Sequence, residues 1–246
     1  VPSTPTTEEE LLKRARRLAG RPLSFLAAQL GVDVPPDQKR AKGWVGQLLE
    51  KSLGATASSR AVPDFELLGV EMKTLPVDAK GAPTESTFVA TLDMADHAAF
   101  RWETSSVRKK LDRVLWIPVE AERTLALADR KVGTAILWSP SAEEEAALRA
   151  DFEEIADLIA EGFGEQVTGE RGKWLQLRPK GADSKALRWA YDPEGAPMRT
   201  APRAFYLRPA FTAEIIRRHY QRSELASDAA RHGRDPDTHE VQPSRS

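Results

Sequence analysis

The stretch that most limits what this chain can become runs from Val62-Pro63 to Pro76: Asp64-Phe65-Glu66-Leu67-Leu68-Gly69-Val70-Glu71-Met72-Lys73-Thr74-Leu75. From residue 67 to 75 it is mostly apolar or β-branched and bounded by prolines, which predicts a short strand. Strand side chains alternate faces, so Glu71 and Lys73 emerge together while Val70 and Met72 point the other way into a core. Asp64, at the strand's entrance, can then converge with Glu71 on a hard divalent cation, which prefers oxygen ligands and retains several waters. Lys73 stands where a positive charge can orient a water or offset charge building on a phosphate. Spacing alone is met more often by an ion pair on a solvated sheet face. What surrounds the triplet has to decide.

Helices precede this strand. Thr7 and Glu10 have capping-box form, and Leu11, Leu12, Ala15 and Leu18 trace one face of a helix ending at Gly20. A second helix covers 22–30, and a third covers 42–53, with Val45, Leu48, Leu49 and Leu53 as its buried stripe and Glu50 beside it. After the central strand, 86–92 reads as a strand antiparallel to it. Residues 104–112 read as a short helix led by Ser105 or Ser106 and carrying Arg108, Lys109 and Lys110, and 113–119 and 132–138 as strands completing one mixed sheet. Residues 143–161 form a long helix whose eight acids read as a solvated outer face. A strand at 174–178, a turn at Pro179-Lys180-Gly181, a strand at 202–207 and a helix from Thr212, as cap, to Arg222 close the foldable part. The residues from 224 onward carry few large apolar groups and read as a disordered tail.

A length of 246 residues suits one large domain or two closely packed small ones. The chain has no cysteine, which removes disulfides and thiolate metal sites. No apolar run is long enough for a membrane span and no secretory leader is evident, so a cytoplasmic location is expected. The net charge of −1 argues against a nucleic-acid partner only if distribution is ignored. Residues 143–161 hold eight acids against Arg149 alone, whereas 171–188 hold six bases against Asp183 alone. His97, His219, His232 and His239 lack metal-ligand spacing, and no glycine-rich phosphate loop is present. The six tryptophans are expected to pack.

Lys42-Gly43-Trp44-Val45-Gly46-Gln47-Leu48-Leu49-Glu50, Leu53-Gly54-Ala55, Asp64-Phe65, Leu68-Gly69-Val70-Glu71-Met72-Lys73-Thr74, Val107-Arg108 and Val114-Leu115-Trp116-Ile117-Pro118-Val119-Glu120 together resemble the MutH family of methyl-directed mismatch-repair endonucleases, in order and spacing from about Leu11 to about His219. The resemblance implies an α/β (α+β), restriction-endonuclease-like fold: a mixed central sheet flanked by helices, in a single domain over 7–223 whose two subdomains form a DNA cleft. It implies nicking of the unmethylated strand at hemimethylated or unmethylated GATC in double-stranded DNA, by a monomer activated by a MutL-type, ATP-using partner. Asp64 and Glu71 are then Mg²⁺ ligands, for one or two ions with Mn²⁺ as a substitute. Lys73 is the catalytic lysine, Glu50 an additional active-site acid, and Lys110 a lysine near the active site. Lys42 and Phe88 match DNA-surface positions, and Arg178-Pro179-Lys180 the base-reading loop. Tyr206 matches the tyrosine that senses adenine methylation. Arginine's fork independently suits guanine's two major-groove acceptors. Two other readings stand beside this one: a restriction enzyme of the same fold cutting both strands, and a non-catalytic DNA-binding module.

Overall fold

The computed structural model describes residues 2–36, 43–56, 62–180 and 187–232, and Lys42 and Gly181 lie outside them. Three helices come first: α1 (Glu8–Leu18), α2 (Leu23–Leu30) and α3 (Trp44–Leu53). Thr7 caps α1 by accepting from the Glu10 N–H, and Gly54, with φ of 83°, closes α3 in the left-handed conformation that glycine adopts without a Cβ penalty. Then follow β1 (Glu71–Val77), β2 (Thr87–Leu92), α4 (Ser106–Leu111), β3 (Val114–Glu120) and β4 (Ile136–Trp138). The remainder is α5 (Ala142–Ala160), β5 (Leu175–Pro179), β6 (Arg188–Tyr191), β7 (Pro197–Thr200), β8 (Arg203–Leu207) and α6 (Pro209–His232).

The first sheet has the order β1-β3-β4, with β1 and β3 parallel and β3 and β4 antiparallel. A parallel pair is stable when both faces are covered, and the near-continuous apolar run Val-Leu-Trp-Ile-Pro-Val of β3 provides for that. On one face Leu75, Val77, Val114, Trp116 and Ile136 join the cluster built by α5, β2, β5 and β8. On the other, Met72, Leu115, Ile117 and Val119 join the cluster of α1, α2 and α3. The sheet therefore divides two apolar clusters, and Glu71 and Lys73 lie on its first face.

Several expectations need correction. The central strand begins at Glu71: residues 66–68 form a 3₁₀ turn closed by Gly69 at φ 65°, and Leu67 is 76% exposed. β2 pairs antiparallel with β8, while β1 takes β3 as its neighbour, so the mixed sheet is β1-β3-β4 without β2, and the described residues form two further small sheets, β2-β8-β5 and the hairpin β6-β7. The last helix starts at Pro209, where a missing N–H costs nothing, and Thr212 is fully buried within it rather than capping it. That helix continues to His232, past the expected end, because Ser-Glu-Leu-Ala-Ser-Asp-Ala-Ala contains no breaker. Trp189 does not pack: it is 54% exposed on the hairpin. Among the described residues no helix is long and apolar enough to cross a membrane.

Candidate active site and nucleic-acid interface

Glu71 opens β1 and is 5% exposed. Its carboxylate accepts hydrogen bonds from two lysines. Lys110 Nζ reaches Oε1 and Oε2 at 2.9 Å each, and Lys73 Nζ reaches Oε1 at 3.2 Å. Lys73 follows Glu71 by two residues and so shares its face. Lys110 arrives from α4, which Ser105 caps by accepting from the Arg108 N–H at 3.1 Å and which Val107 and Leu111 anchor in the core. Burial pushes the Lys73 ammonium down from the usual lysine range, while the Glu71 carboxylate opposes that shift.

Asp64 sits before the tight turn that leads into β1. Its Oδ2 accepts the Met72 N–H at 2.8 Å, which holds the carboxylate beside the first strand residues. Burial, followed by the Glu71 charge, raises the Asp64 pKa, and the Met72 bond partly offsets this. Glu50, on the last turns of α3, is raised by burial and then by Asp64 and Glu71. Three carboxylates thus repel one another at one place, with Lys73 and Lys110 as the nearby positive charges. Asp64, Glu71 and Glu50 are hard oxygen donors of the kind Mg²⁺ selects. Among the described residues no three His, Cys, Asp or Glu side chains form a ready-made cage for a metal ion.

A groove of ≈ 740 Å³ opens beside this cluster, lined by Glu50 and Lys73 together with Phe88, Arg178, Pro179, Lys180 and Tyr206. The last five come from the β2-β8-β5 sheet and the residue that follows it. Phe88 and Tyr206 are register partners across β2 and β8 and meet edge to face, with ring centroids 5.6 Å apart. Phe88 is 38% exposed, so it does not serve as core packing. The Arg178 guanidinium lies 5.8 Å from the Tyr206 ring centroid. Lys180 Nζ donates to Thr91 Oγ1 at 2.7 Å and stands 4.7 Å from the Phe88 centroid, and Lys73 Nζ stands 5.9 Å from the same centroid. The expected residues Asp64, Glu71, Lys73, Glu50 and Lys110 therefore gather at one point. Phe88, Arg178, Pro179, Lys180 and Tyr206 line one groove next to it, and Lys42 alone falls outside the described residues.

Several supporting residues went unread in the sequence. Asp151, grouped there with a solvated acidic face, is 7% exposed and accepts the N–H groups of Lys173 (2.8 Å), Trp174 (2.6 Å) and Leu175 (2.8 Å) at the entry to β5. Its signal was present, since it falls at helical spacing between Leu148 and Ile155 on the buried stripe. Arg208 donates to the carbonyls of Gly169 and Gly172, and Arg203 to those of Glu165 and Val167, which fixes the loop before β5. Gly172, at φ 77°, admits no side chain, because a Cβ there would lie 1.9 Å from the Leu175 carbonyl oxygen. Gln176 Nε2 donates to Ser86 Oγ at 2.8 Å, pinning β5 to the start of β2.

A parallel pair covered on both faces, with an acid–acid–lysine set at its start and helices on either side, defines the class: an α/β protein of restriction-endonuclease-like organisation, with a charged site beside an open groove. Residues 53–151 match the family model described as DNA mismatch repair enzyme MutH. The DNA mismatch repair protein MutH of Vibrio cholerae is 52% identical over 216 residues, covering 88% of this chain and 98% of that one. That of Klebsiella pneumoniae is 51% identical over 218 residues (89% and 94%), and that of Serratia proteamaculans 50% over 220 (89% and 96%). The chain belongs to the MutH family of DNA mismatch-repair endonucleases.

Proposed function

We propose that this protein nicks the unmethylated strand of hemimethylated or unmethylated GATC sites in duplex DNA by metal-dependent hydrolysis of a phosphodiester. One observation carries the reading: Lys73 and Glu50 share a groove with Phe88, Arg178, Lys180 and Tyr206, so chemistry and base reading border the same space.

Asp64 and Glu71 suit Mg²⁺, with the main-chain carbonyl of Met72 as a further oxygen and Mn²⁺ as a substitute. Burial, and after it the repulsion between carboxylates, raises Asp64 and Glu50, and a divalent cation relieves that repulsion. An ion held by two carboxylates keeps several waters and needs no third protein carboxylate. Bound there, one or two ions would supply Lewis-acid charge to the phosphate and acidify a water. The remaining work falls to the chain. Lys73, its ammonium destabilised by burial, orients the attacking water and offsets negative charge in the transition state. Lys110 holds the far side of Glu71, and Glu50 is the additional acid. Arg178 offers its fork to guanine O6 and N7, and Tyr206 with Pro179 borders the adenine N6 edge, where a methyl group would be felt. Lys42 and Phe88 contact DNA at the surface. A single such site cuts one strand, which suits a monomer, whereas duplex cleavage recruits a second site by symmetry. A MutL-type partner that uses ATP activates the cut, and the reaction takes place in the cytoplasm.

The test is a plasmid with one GATC, prepared unmethylated, hemimethylated and fully methylated, incubated with Mg²⁺ with and without a MutL protein and ATP. Nicked circles from the first two forms, broken only in unmethylated strands and faster with the partner, are expected. Linear product in one binding event would mean a restriction enzyme, equal cutting of the fully methylated form would remove the strand-choosing role, and no cutting would leave a binding module.

A further inference from the structure

Glu71 accepts from two lysines, both of them at Oε1 and Lys110 at Oε2 as well, and the two lysines open onto different spaces. Lys73 lines the groove shared with the base-reading face, whereas Lys110 lines a second groove of ≈ 1180 Å³. The two grooves have no lining residue in common. The second is walled by the end of β2, residues 93–101 and α4. Four cations face it. Lys110 is committed to Glu71, and Arg108 Nε to Glu145 Oε1 at 3.0 Å. Arg101 and Lys109 are exposed and make no ion pair among the described residues. Of the acids in the same groove, Asp93 is turned to its own loop, accepting the Ala95 N–H at 3.1 Å, and Asp112 ends α4. Asp93 and Asp96 share residues 93–101 with Arg101, and Lys109 stands on α4, so one uncommitted cation comes from each of these two segments.

Double-stranded DNA is stiff over about 150 base pairs. A duplex with its scissile phosphate at Glu71 and its bases over Phe88 and Tyr206 continues straight past the carboxylates, and Lys110, bonded to Glu71, opens the second groove to it. Resting on the functional reading above, we propose that this groove receives the sugar–phosphate backbone of the duplex arm that lies away from the base-reading face, with Arg101 and Lys109 as its phosphate contacts. These residues are positioning residues. They set register along the backbone, read no base, and hold the strand whose phosphate is placed beside Lys110.

Phosphate contacts have a signature that base contacts lack. Each releases condensed counterions, so log K falls with log[salt] by about 0.9 per neutralised phosphate. Affinity is measured across a salt series, with the full chain and without divalent metal, on a duplex with a central GATC and on one without it. Arg101→Gln and Lys109→Gln should each lower the slope by about 0.9 and the double variant by about 1.8, equally for both duplexes. Lys109→Glu should weaken binding further. Lys13→Gln, an exposed lysine on α1 remote from either groove, should leave the slope unchanged while altering net charge by the same amount. All of these side chains are exposed, and melting curves verify that the variants fold. Unchanged slopes in Arg101→Gln and Lys109→Gln, a penalty confined to the GATC duplex, or an equal loss in Lys13→Gln would each overturn the proposal. If the unsubstituted protein binds neither duplex, the functional reading itself fails, a result visible before any substitution is made.

Discussion

Glu71 is the residue on which the site turns, because it is nearly buried and yet holds two ammonium groups. Lys73→Ala removes the group that sits between Glu71 and the Phe88 ring. It should lower the single-turnover nicking rate by about 10²–10⁴-fold while leaving DNA affinity near that of the parent, since surface cations dominate binding. Asp64 gives a stability prediction with a definite sign. Burial and the Glu71 charge raise its folded-state pKa above the unfolded value, so the ionised group subtracts from stability above that raised pKa. The deficit disappears as pH falls below the unfolded pKa. In metal-free buffer Asp64→Asn, which keeps an oxygen for the Met72 N–H, should melt above the parent at neutral pH, and the two curves should merge in acid. Mg²⁺ at tenfold its Kd should raise the stability of the parent by about 1.4 kcal/mol and that of the variant by little. The acid–acid–lysine spacing was visible in the chain because strand alternation places Glu71 and Lys73 together. Their burial was not, since it depends on β3 covering one edge and on Phe88 arriving from another sheet.

At the scale of elements, the sheet face proposed to read bases depends on how β5 is held. Asp151 supplies a charged acceptor to three consecutive N–H groups at its entry. Asp151→Asn should cost about 1.5–3 kcal/mol in urea unfolding with an unchanged m value, the range for hydrogen bonds to a charged group. Helices were the most legible elements: the capping box at Thr7, the glycine stop at Gly54 and the 3.6-residue stripe of α3 all lie where periodicity and caps put them. Strand partners were less so. A strand's own residues fix its faces but not its neighbour, and β2 passes over β1 to pair with β8, more than a hundred residues away. The β6-β7 hairpin left little trace because only Ala190, Met198 and Thr200 turn inward, and the rest of its residues, Trp189 and Tyr191 included, are exposed.

For the molecule as a whole, one sheet separating two apolar clusters sets the site at the end where α3, α4 and β1 meet, with a groove on either flank. On α6, Gln221 through Leu225 are exposed, Leu225 at 70%, and these five join neither cluster. Ending the chain after Arg222 should leave unfolding free energy within about 0.5 kcal/mol of the full chain, as for surface changes generally. The family likeness over nearly the whole length made this architecture class readable before any contact was known. It could not place the second groove, which the chain from Thr91 to Asp112 closes only by folding against Val62, Pro63 and Gly69. The most direct measurement of the central claim follows a single GATC duplex, with each strand labelled separately, in Mg²⁺ and in EDTA, using the parent protein, Asp64→Asn and Lys73→Ala at concentrations that saturate binding. The account predicts a single-strand cut by the parent in Mg²⁺ alone, with both variants bound but inactive. Cutting by either variant at the parental rate, or by the parent in EDTA, would contradict it.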